Sequence, residues 1–521
     1  MSPAPQVMLP PKSNGPTKGT DIKVPSTLLQ KGEWAVETLV QPSTPTTHWP
    51  TPSNEAKETL RPLGLTARYL ALALALLTCL SILFVGIGSY PLYDPDEGRN
   101  AEVAREMVAD GHWLPPTLNG EVRYQKPPLY YWMVASCFKL FGEGEAPARL
   151  PSALAALLCV LVTVALCTGL STLHRGAIAG VLLSTSLIFV AYSHIVIFDM
   201  VLTLFVTSAI AAFYLGTTGR SLWPFYVSAL LSALCFLTKG PVGLLLPAMA
   251  VGPLVATGRS KDIRVPWLGM ALLFLALSVP PYALAELRYP GYCHRFFWDE
   301  NVLRYLTHRY HRDGPAFYYL GVILAGLFPW TWLIVWLPKT VKLMVRENRQ
   351  ALILLGSWIL LPTLFFSISH SKLPHYILPT FPAWAILLSH TWPGEKGIER
   401  WIMATAAAAI LLYLAAIPAI KHSLIPSRSA ANLVREASID PGLPVFSFKA
   451  HGYSLSFYSN RTVKRLSNYQ ELIGALDTQK AFYLFTVNKK TNKALRIINN
   501  AGKRATIVGS SKGYTLILVH G

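Results

Sequence analysis

Charge is scarce in this chain. Asp, Glu, Lys and Arg together make up 14% of its 521 residues, against about 25% in a soluble globular protein. Acids are scarcer than bases, 27 against 46, which leaves a net charge of +19. Cysteine is sparse as well. Cys79, Cys137, Cys159, Cys167, Cys235 and Cys293 lie in or beside hydrophobic segments without metal-type spacing, so no disulfide framework follows. Nucleic-acid-binding motifs are missing, and most of the basic excess sits between apolar runs, where membrane orientation and anionic-lipid contact account for it. The long runs lack strand-like alternation, which excludes an outer-membrane barrel. No internal repeat of the kind that secondary transporters carry is visible, which weighs against that competing class.

What the chain does have is apolar length. Runs such as ALALALLTCLSILFVGIG (71–88) and AALLCVLVTVALC (155–167) recur through most of it, the pattern of a polytopic α-helical membrane protein. Residues 1–66 are rich in Pro, Ser, Thr and Lys with no apolar period, the composition of a disordered tail. A first span is expected at 68–90, retained rather than cleaved, because too long a polar stretch precedes it. Further spans are expected near 150–171, 176–197, 200–218, 223–238, 241–257, 266–287, 317–337, 351–369, 374–391 and 401–420. Allowing for missed short spans, the total is about 11–13. The run LYYWMVASCFKLF (129–141) is short and interrupted by Lys139, so it reads as a helix lying in the interface. With that count Arg175, Arg220, Arg259, Lys261, Arg264, Lys339, Lys342, Arg346, Arg349, Lys396 and Arg400 all face the cytoplasm, in keeping with the positive-inside rule. The transmembrane domain then covers 67–424, with outer loops at 91–149 and 288–316. Residues 425–521 read as a small α/β domain on the outer face, with strands in LPVFSFKAHGYSLSFYSN, AFYLFTVNK, ATIVGSS and YTLILVHG and a helix in NYQELIGALDT.

This topology gathers scattered polar residues on one membrane face. A helix starting near Pro95 carries Asp96 and Glu97 in its first turn, where the helix dipole stabilises carboxylates, with Arg99 at i+3 from Asp96. In YQKPPLYYW (124–132), Lys126 precedes two prolines that suit a rigid extended backbone, and interfacial aromatics follow. A fixed lysine and arginine at the membrane surface suit an anionic lipid phosphate. Asp199 in IVIFDMVLTLF is a carboxylate among apolar residues near a span boundary, which marks a functional site by default. Lys239 in FLTKGPVG is either a phosphate contact or a snorkelling lysine. In the loop CHRFFWDENVLRYLTHRYHRDGP (293–315), Arg304 suits a phosphate. The His308/His311 pair with Asp299 or Glu300 allows a divalent metal at loose spacing, and no residue is assigned as a metal ligand. In SISHSKLPHYILPTFPAW (367–384), Lys372 and Tyr376 put a cation and a phenol where a lipid headgroup lies, and interfacial anchoring accounts for them equally well.

The stretches PLYDPDEGRNAEVAREM, YQKPPLYYW, FDMVLTLF, LTKGPVG, FFWDENVLRYLTHRYHRDGP and SHSKLPHYILP, in this order over about 68–390, together resemble bacterial integral-membrane glycosyltransferases of the GT-C fold. The resemblance is to the aminoarabinose transferases of lipid A, relatives of the protein O-mannosyltransferases. It implies a polyprenyl-phosphate-linked sugar donor, lipid A or another envelope acceptor, and transfer on the periplasmic side of the bacterial inner membrane. Asp96 stands at the family's essential first-loop carboxylate with Arg99 one turn on. Lys126 and Tyr376 match donor-phosphate contacts, and Asp199 a second functional carboxylate. Two positions depart from the pattern: Gln125 stands where Glu is usual, and Asn100 replaces a common Tyr. A neutral Gln125 is no anionic metal ligand.

The expected chemistry is a single inverting displacement at the anomeric carbon that expels polyprenyl phosphate. Lys126, Arg99 and Tyr376, helped by Lys372, Arg304 and Lys239, stabilise the leaving phosphate. Asp96, Asp199 and Glu97 are the catalytic carboxylate candidates. Asp96 serves as general base if the acceptor is a hydroxyl. Transfer to a protein or another glycan is the alternative within the enzyme class.

Overall fold

The computed structural model describes residues 81–521 except 220, 258–263, 309–311, 392–397 and 438. The tail expected at 1–66, most of the expected first span, and His311 lie outside the described residues. Thirteen-to-fifteen-residue helices come first. Helix α1 (Asp96–Asp110) ends at Gly111 in the left-handed region, and a short antiparallel hairpin, β1 (Thr117–Leu118) and β2 (Glu121–Val122), follows it. Helix α2 (Leu129–Phe141) has 13 residues, roughly 20 Å, too short for a bilayer core of about 30 Å. Its end is open, with Leu140 75% and Phe141 64% exposed.

The apolar helices follow: α3 (Glu145–Leu170), α4 (Leu173–Ser184), α5 (Leu187–Ser193), α6 (Phe198–Thr218), α7 (Trp223–Lys239), α8 (Pro241–Ala256), α9 (Trp267–Arg288), α10 (Tyr318–Gly326), α11 (Leu337–Glu347), α12 (Arg349–Ile368), α13 (Phe381–Ser389) and α14 (Ile398–Ala419). Among the described residues five helices are long and apolar enough to cross a membrane, and seven if each bent pair is one span. Five expected spans are shorter or broken. The span at 176–197 is the pair α4 and α5, bent by 65°. Helices α7 and α8 have 17 and 16 residues, and the segment 374–391 is a 3₁₀ turn, Pro374–Thr380, leading into nine-residue α13. Pro374, Pro379 and Pro382 each lack the amide proton that a continuous helix needs. The α10 segment bends by 112° against the helical stretch Trp330–Glu347.

Burial ranks the helices. Helix α6 is 83% buried over its apolar window, whereas the stretch Trp401–Ser427 is 11% buried and α9 17%. Helix α6 is therefore central, and α9 and α14 present Leu268, Leu272, Leu411 and Leu412 outward, where lipid tails would cover them.

At the C-terminus five strands form one sheet in the order β4 (Val463–Leu466), β3 (Val445–Phe448), β5 (Ala481–Val487), β7 (Tyr514–His520), β6 (Arg504–Ser510). Strand β3 runs parallel to β4 and β5, and β7 is antiparallel to both β5 and β6. The central strand AFYLFTV is buried on both faces, which explains its unbroken apolar run. Two departures from the sequence reading stand out. The stretch YSLSFYS, expected as strand, is helix α16 (Tyr453–Ser459), because Gly452 in the left-handed region turns the chain after β3. A helix over Asn488–Asn500 follows β5, where none was expected. A short helix, α15 (Ala431–Glu436), links α14 to the sheet.

Two polar links fix α1. Glu97, fully buried, receives a bidentate pair from Arg149 of α3 at 2.7 and 2.6 Å. Arg149 also donates to the carbonyls of Ile87 and Tyr90. On the opposite side Asp94 accepts from the Ser454 amide and hydroxyl at 2.8 and 2.7 Å. Burial pushes the Asp94 carboxyl up to about 6, and the Ser454 hydrogen bonds pull it down. A Cβ on Gly98 would meet the Ser454 amide nitrogen at 2.6 Å, so glycine is what lets α16 lie directly on α1. Arg149→Met leaves Glu97 as an uncompensated buried charge, and the expected loss is about 3–5 kcal/mol of stability. Thermal unfolding of the purified variant checks this, and an unchanged midpoint would contradict the framework role.

Candidate active site

The site is built where loops join the apolar helices. Lys126 rides on the loop between the hairpin and α2. Arg295 stacks over Tyr124 at 4.6 Å, and Arg123 donates to the Tyr131 hydroxyl at 2.5 Å, holding that loop at both ends. The Lys126 ammonium lies 5.9 Å over the ring of Phe198, the first residue of α6. Tyr130 and Tyr131 pack on the same ring at 4.7 and 5.1 Å. Helix α2 is thereby docked on the start of α6.

Asp199 is the second residue of α6, buried in its first turn, where the free backbone amides favour a carboxylate. Lys239 is the last residue of α7. Gly240, at φ +74°, then reverses the chain into α8, and a Cβ there would meet Phe296 at 2.6 Å. The reversal leaves the Lys239 ammonium free to donate to Asp199 Oδ1. On the other side of Asp199, His375 Nε2 stands 3.7 Å from Oδ2, and His375 Nδ1 hydrogen-bonds with the Tyr192 hydroxyl at 3.3 Å. The Lys239 ammonium also lies 4.7 Å over the Tyr376 ring.

Arg304 arrives from a different direction, at the end of a π-helical stretch, His294–Leu303, and pairs with Glu300 one turn back. Lys126, Lys239, Glu300, Asn301, Arg304 and Tyr376 line one recess, closed on its far side by Phe366, Ser369 and Ser371. Four of the six residues expected to bind phosphate therefore share one cavity, with Asp199 directly behind Lys239. Burial holds the Lys126 ammonium well below the usual lysine range, and the neighbouring Arg304 and Lys239 charges push it the same way. Three cations against Asp199 and Glu300 leave a positive excess that an anionic headgroup would neutralise.

The first-helix pair, Asp96 and Arg99, is not among the recess residues. Arg99 Nη2 donates to Asp96 Oδ1 at 2.5 Å, with the Asp96 side chain 43% exposed. Arg99 faces Tyr453 of α16 at 5.9 Å. Burial and then the Arg123 charge hold its guanidinium below the ordinary arginine range. The charges of Asp199, Lys239, Asp96 and Lys126, in that order, act on His375.

Two expected site residues are elsewhere. Lys372 donates to the Ser369 carbonyl at 2.7 Å, capping the end of α12, and it is not among the recess residues. Glu97 is fully enclosed, with both oxygens engaged by Arg149 and Oε1 also accepting from the Val196 amide at 3.1 Å. Its contacts are all to protein groups of the framework. Three participants went unnoticed in the sequence: His375, Arg123 and Ser454. His375 adjoins Tyr376 in PHY, a signal that could have been followed. Arg123 and Ser454 carry none.

The metal possibility raised for His308, His311 and Asp299 or Glu300 involves His311, which lies outside the described residues. Glu300 pairs with Arg304, and His308 instead meets Asp313 and His370. A recess lined by Tyr124, Gln125, Arg295, Asp299 and Glu300 presents a neutral amide and a guanidinium beside its carboxylates. That donor set does not suit a cation at Gln125.

Comparison with known proteins gives a consistent result. A family model described as dolichyl-phosphate-mannose-protein mannosyltransferase matches residues 125–283. The undecaprenyl phosphate-alpha-4-amino-4-deoxy-L-arabinose arabinosyl transferase of Aeromonas hydrophila is 34% identical over 311 residues, 57% of this chain and 56% of its own length. The match thus spans little more than half of that relative. The protein of the same name from Edwardsiella ictaluri is 31% identical over 416 residues, 74% of this chain and 73% of its own. Among solved structures, ArnT from Cupriavidus metallidurans bound to undecaprenyl phosphate superposes with a TM-score of 0.75 at 22% identity, covering 86% of this chain and 97% of that one. The apo oligosaccharyltransferase of Archaeoglobus fulgidus gives 0.54 at 12% identity, over 84% and 71%. These likenesses show the helical, polytopic GT-C fold that the sequence motifs imply. With the Edwardsiella protein matched across nearly three quarters of both chains, this chain belongs to the undecaprenyl phosphate-alpha-4-amino-4-deoxy-L-arabinose arabinosyl transferase family.

Proposed function

We propose that the chain is an inverting glycosyltransferase that takes a sugar from an undecaprenyl-phosphate-type lipid donor and passes it to an envelope acceptor such as lipid A. The reaction would take place at the periplasmic face of the bacterial inner membrane. The observation that carries this reading is the recess in which Lys126, Lys239, Arg304 and Tyr376 meet at the ends of apolar helices. A lipid phosphate entering there keeps its tail along apolar helix surface while its charge meets three cations and a phenol.

In the displacement, the bond from the anomeric carbon to the carrier's phosphate oxygen breaks as the bond to the acceptor oxygen forms. Negative charge grows on the departing phosphate, and Lys126, Arg304 and Tyr376 stabilise it more strongly in the transition state than in the bound donor. The partial neutralisation of Lys239 by Asp199 leaves it oriented rather than free to collapse onto Glu300. Asp96, half open and paired with Arg99, faces the acceptor side. With a phosphate acceptor no base is required, and Asp96 stabilises positive charge on the sugar or orients Arg99. With a hydroxyl acceptor Asp96 takes the proton. The match of residues 125–283 to a protein mannosyltransferase model is the observation that favours this second, protein-O-glycosylating reading.

Lys126→Ala and Arg304→Ala should each lower turnover of the purified protein in lipid nanodiscs about 10²–10³-fold and weaken its retention of undecaprenyl phosphate. Wild-type turnover in either variant would overturn the phosphate assignment. Asp96→Asn should abolish transfer while the protein still inserts and purifies as before, and full activity in that variant would refute its role. Mass spectra of lipid A and envelope glycans from cells with and without the gene separate the acceptors. An amino-sugar mass increment on lipid A supports the first reading, and a change confined to glycoproteins supports the second.

A further inference from the structure

Outside the recess, one cluster of ligating side chains remains without a role. His308 Nδ1 lies 2.7 Å from Asp313 Oδ1, and His370 Nδ1 lies 3.7 Å from the same oxygen. The two imidazole rings stand 4.1 Å apart, centroid to centroid, tilted by 55°. One donor atom from each of the three residues falls within 4.8 Å of the other two. Donors about 2.0–2.2 Å from a common zinc ion are separated by some 3–4 Å, so a small opening of the His308–Asp313 contact seats an ion between all three. Among the described residues no other trio of His, Cys, Asp or Glu donors converges in this way.

Backbone bonds support this convergence. The His370 amide donates to the Tyr305 carbonyl at 3.1 Å, and the Lys372 amide to the Arg312 carbonyl at 3.0 Å. The Tyr305 hydroxyl donates to the Phe365 carbonyl at 2.8 Å, and the two rings stack at 4.7 Å. The strand of loop after Arg304 and the end of α12 are thus laced together on both sides of the trio before any side chain adds to it. All three side chains are open to solvent, at 68%, 47% and 42%, so an ion has a path in and a fourth position stays free for water.

We propose that His308, Asp313 and His370 form a binding site for a single zinc-class divalent ion that clamps the loop bearing Arg304 to the end of α12 at the rim of the recess. Two imidazoles and one carboxylate suit zinc or its transition-metal neighbours. Calcium and magnesium, which favour sites made wholly of oxygen ligands, are disfavoured. The consequence is local. Ser369 and Ser371, which flank His370, line the same recess as Arg304 and Tyr305, so an ion at the trio couples the two walls that would receive the lipid phosphate. The site stands whether or not the catalytic reading holds, because its first test is metal binding.

Full-length protein, purified without a polyhistidine tag and stripped with chelator, is titrated with zinc chloride by calorimetry. Wild type should take up one equivalent in a step that is lost, or weakened at least tenfold, in the His308→Ala/His370→Ala double variant and in Asp313→Asn. A step that persists unchanged in those variants overturns the proposal. Wild-type protein alone supplies a second readout that needs no variant. Cobalt should bind with one equivalent, develop the visible absorption of a low-coordinate nitrogen and oxygen site, and be displaced by zinc. Absence of that band overturns the proposal as well. Protection of the 304–316 loop from limited proteolysis by zinc, present in wild type and absent in the double variant, distinguishes a clamp from an ion that merely associates. Equal cleavage with and without zinc removes the clamp.

Discussion

Glu97 and Arg149 form the pair on which the rest of the arrangement depends. Both are fully enclosed, and the guanidinium meets the carboxylate through two parallel bonds while its remaining donors take up the carbonyls of Ile87 and Tyr90. A spanning helix is thereby fastened to the loop helix that carries Asp96, and to the chain entering from the N-terminal side. The two neighbours of Glu97 in sequence, Asp96 and Gly98, then have fixed directions. One points its carboxylate outward beside Arg99, and the other opens the surface on which α16 rests. Removing either partner of such a pair would strand a charge, which is why the geometry is fixed rather than adjustable.

The second organising feature is a charge imbalance placed in low-dielectric surroundings. Lys126, Lys239 and Arg304 come from three separate segments, with Asp199 paired to Lys239 and Glu300 to Arg304. Burial first, and then the Arg304 and Lys239 charges, hold the Lys126 ammonium below its usual range. A site in this condition gains most from a ligand that brings compact negative charge and no need for deep burial of polar bulk. A phosphate on an isoprenoid tail has that form. In the proposed displacement the same imbalance would favour the leaving phosphate as its charge grows.

Much of this was legible in the sequence, and the reasons are particular. Asp199 and Lys239 were conspicuous because charge is rare inside apolar runs, and they proved to be partners. Lys126 was visible through the prolines after it. Arg304 and Tyr376 could be assigned to one face by counting spans, although their meeting in one recess could not be derived without coordinates. The setting of Glu97 was not legible, because a carboxylate beside Asp96 looks the same whether it faces solvent or an arginine 52 residues on. Lys372 carries a similar ambiguity: a lysine at a helix end serves the last carbonyls as readily as a ligand. The helix YSLSFYS was read as strand because its local pattern alternates, and its true state is set by Gly452 and by contact with α1. The trio of His308, Asp313 and His370 joins positions from two segments, so spacing within one loop could not bring it to notice.

The most direct test of the central claim is the position of the lipid phosphate. A cryo-EM structure of the protein in nanodiscs with undecaprenyl phosphate should show headgroup density between Lys126, Lys239, Arg304 and Tyr376, with the isoprenoid tail leaving along the apolar helices. Headgroup density at another place on the molecule, with this recess filled only by solvent, would contradict the account.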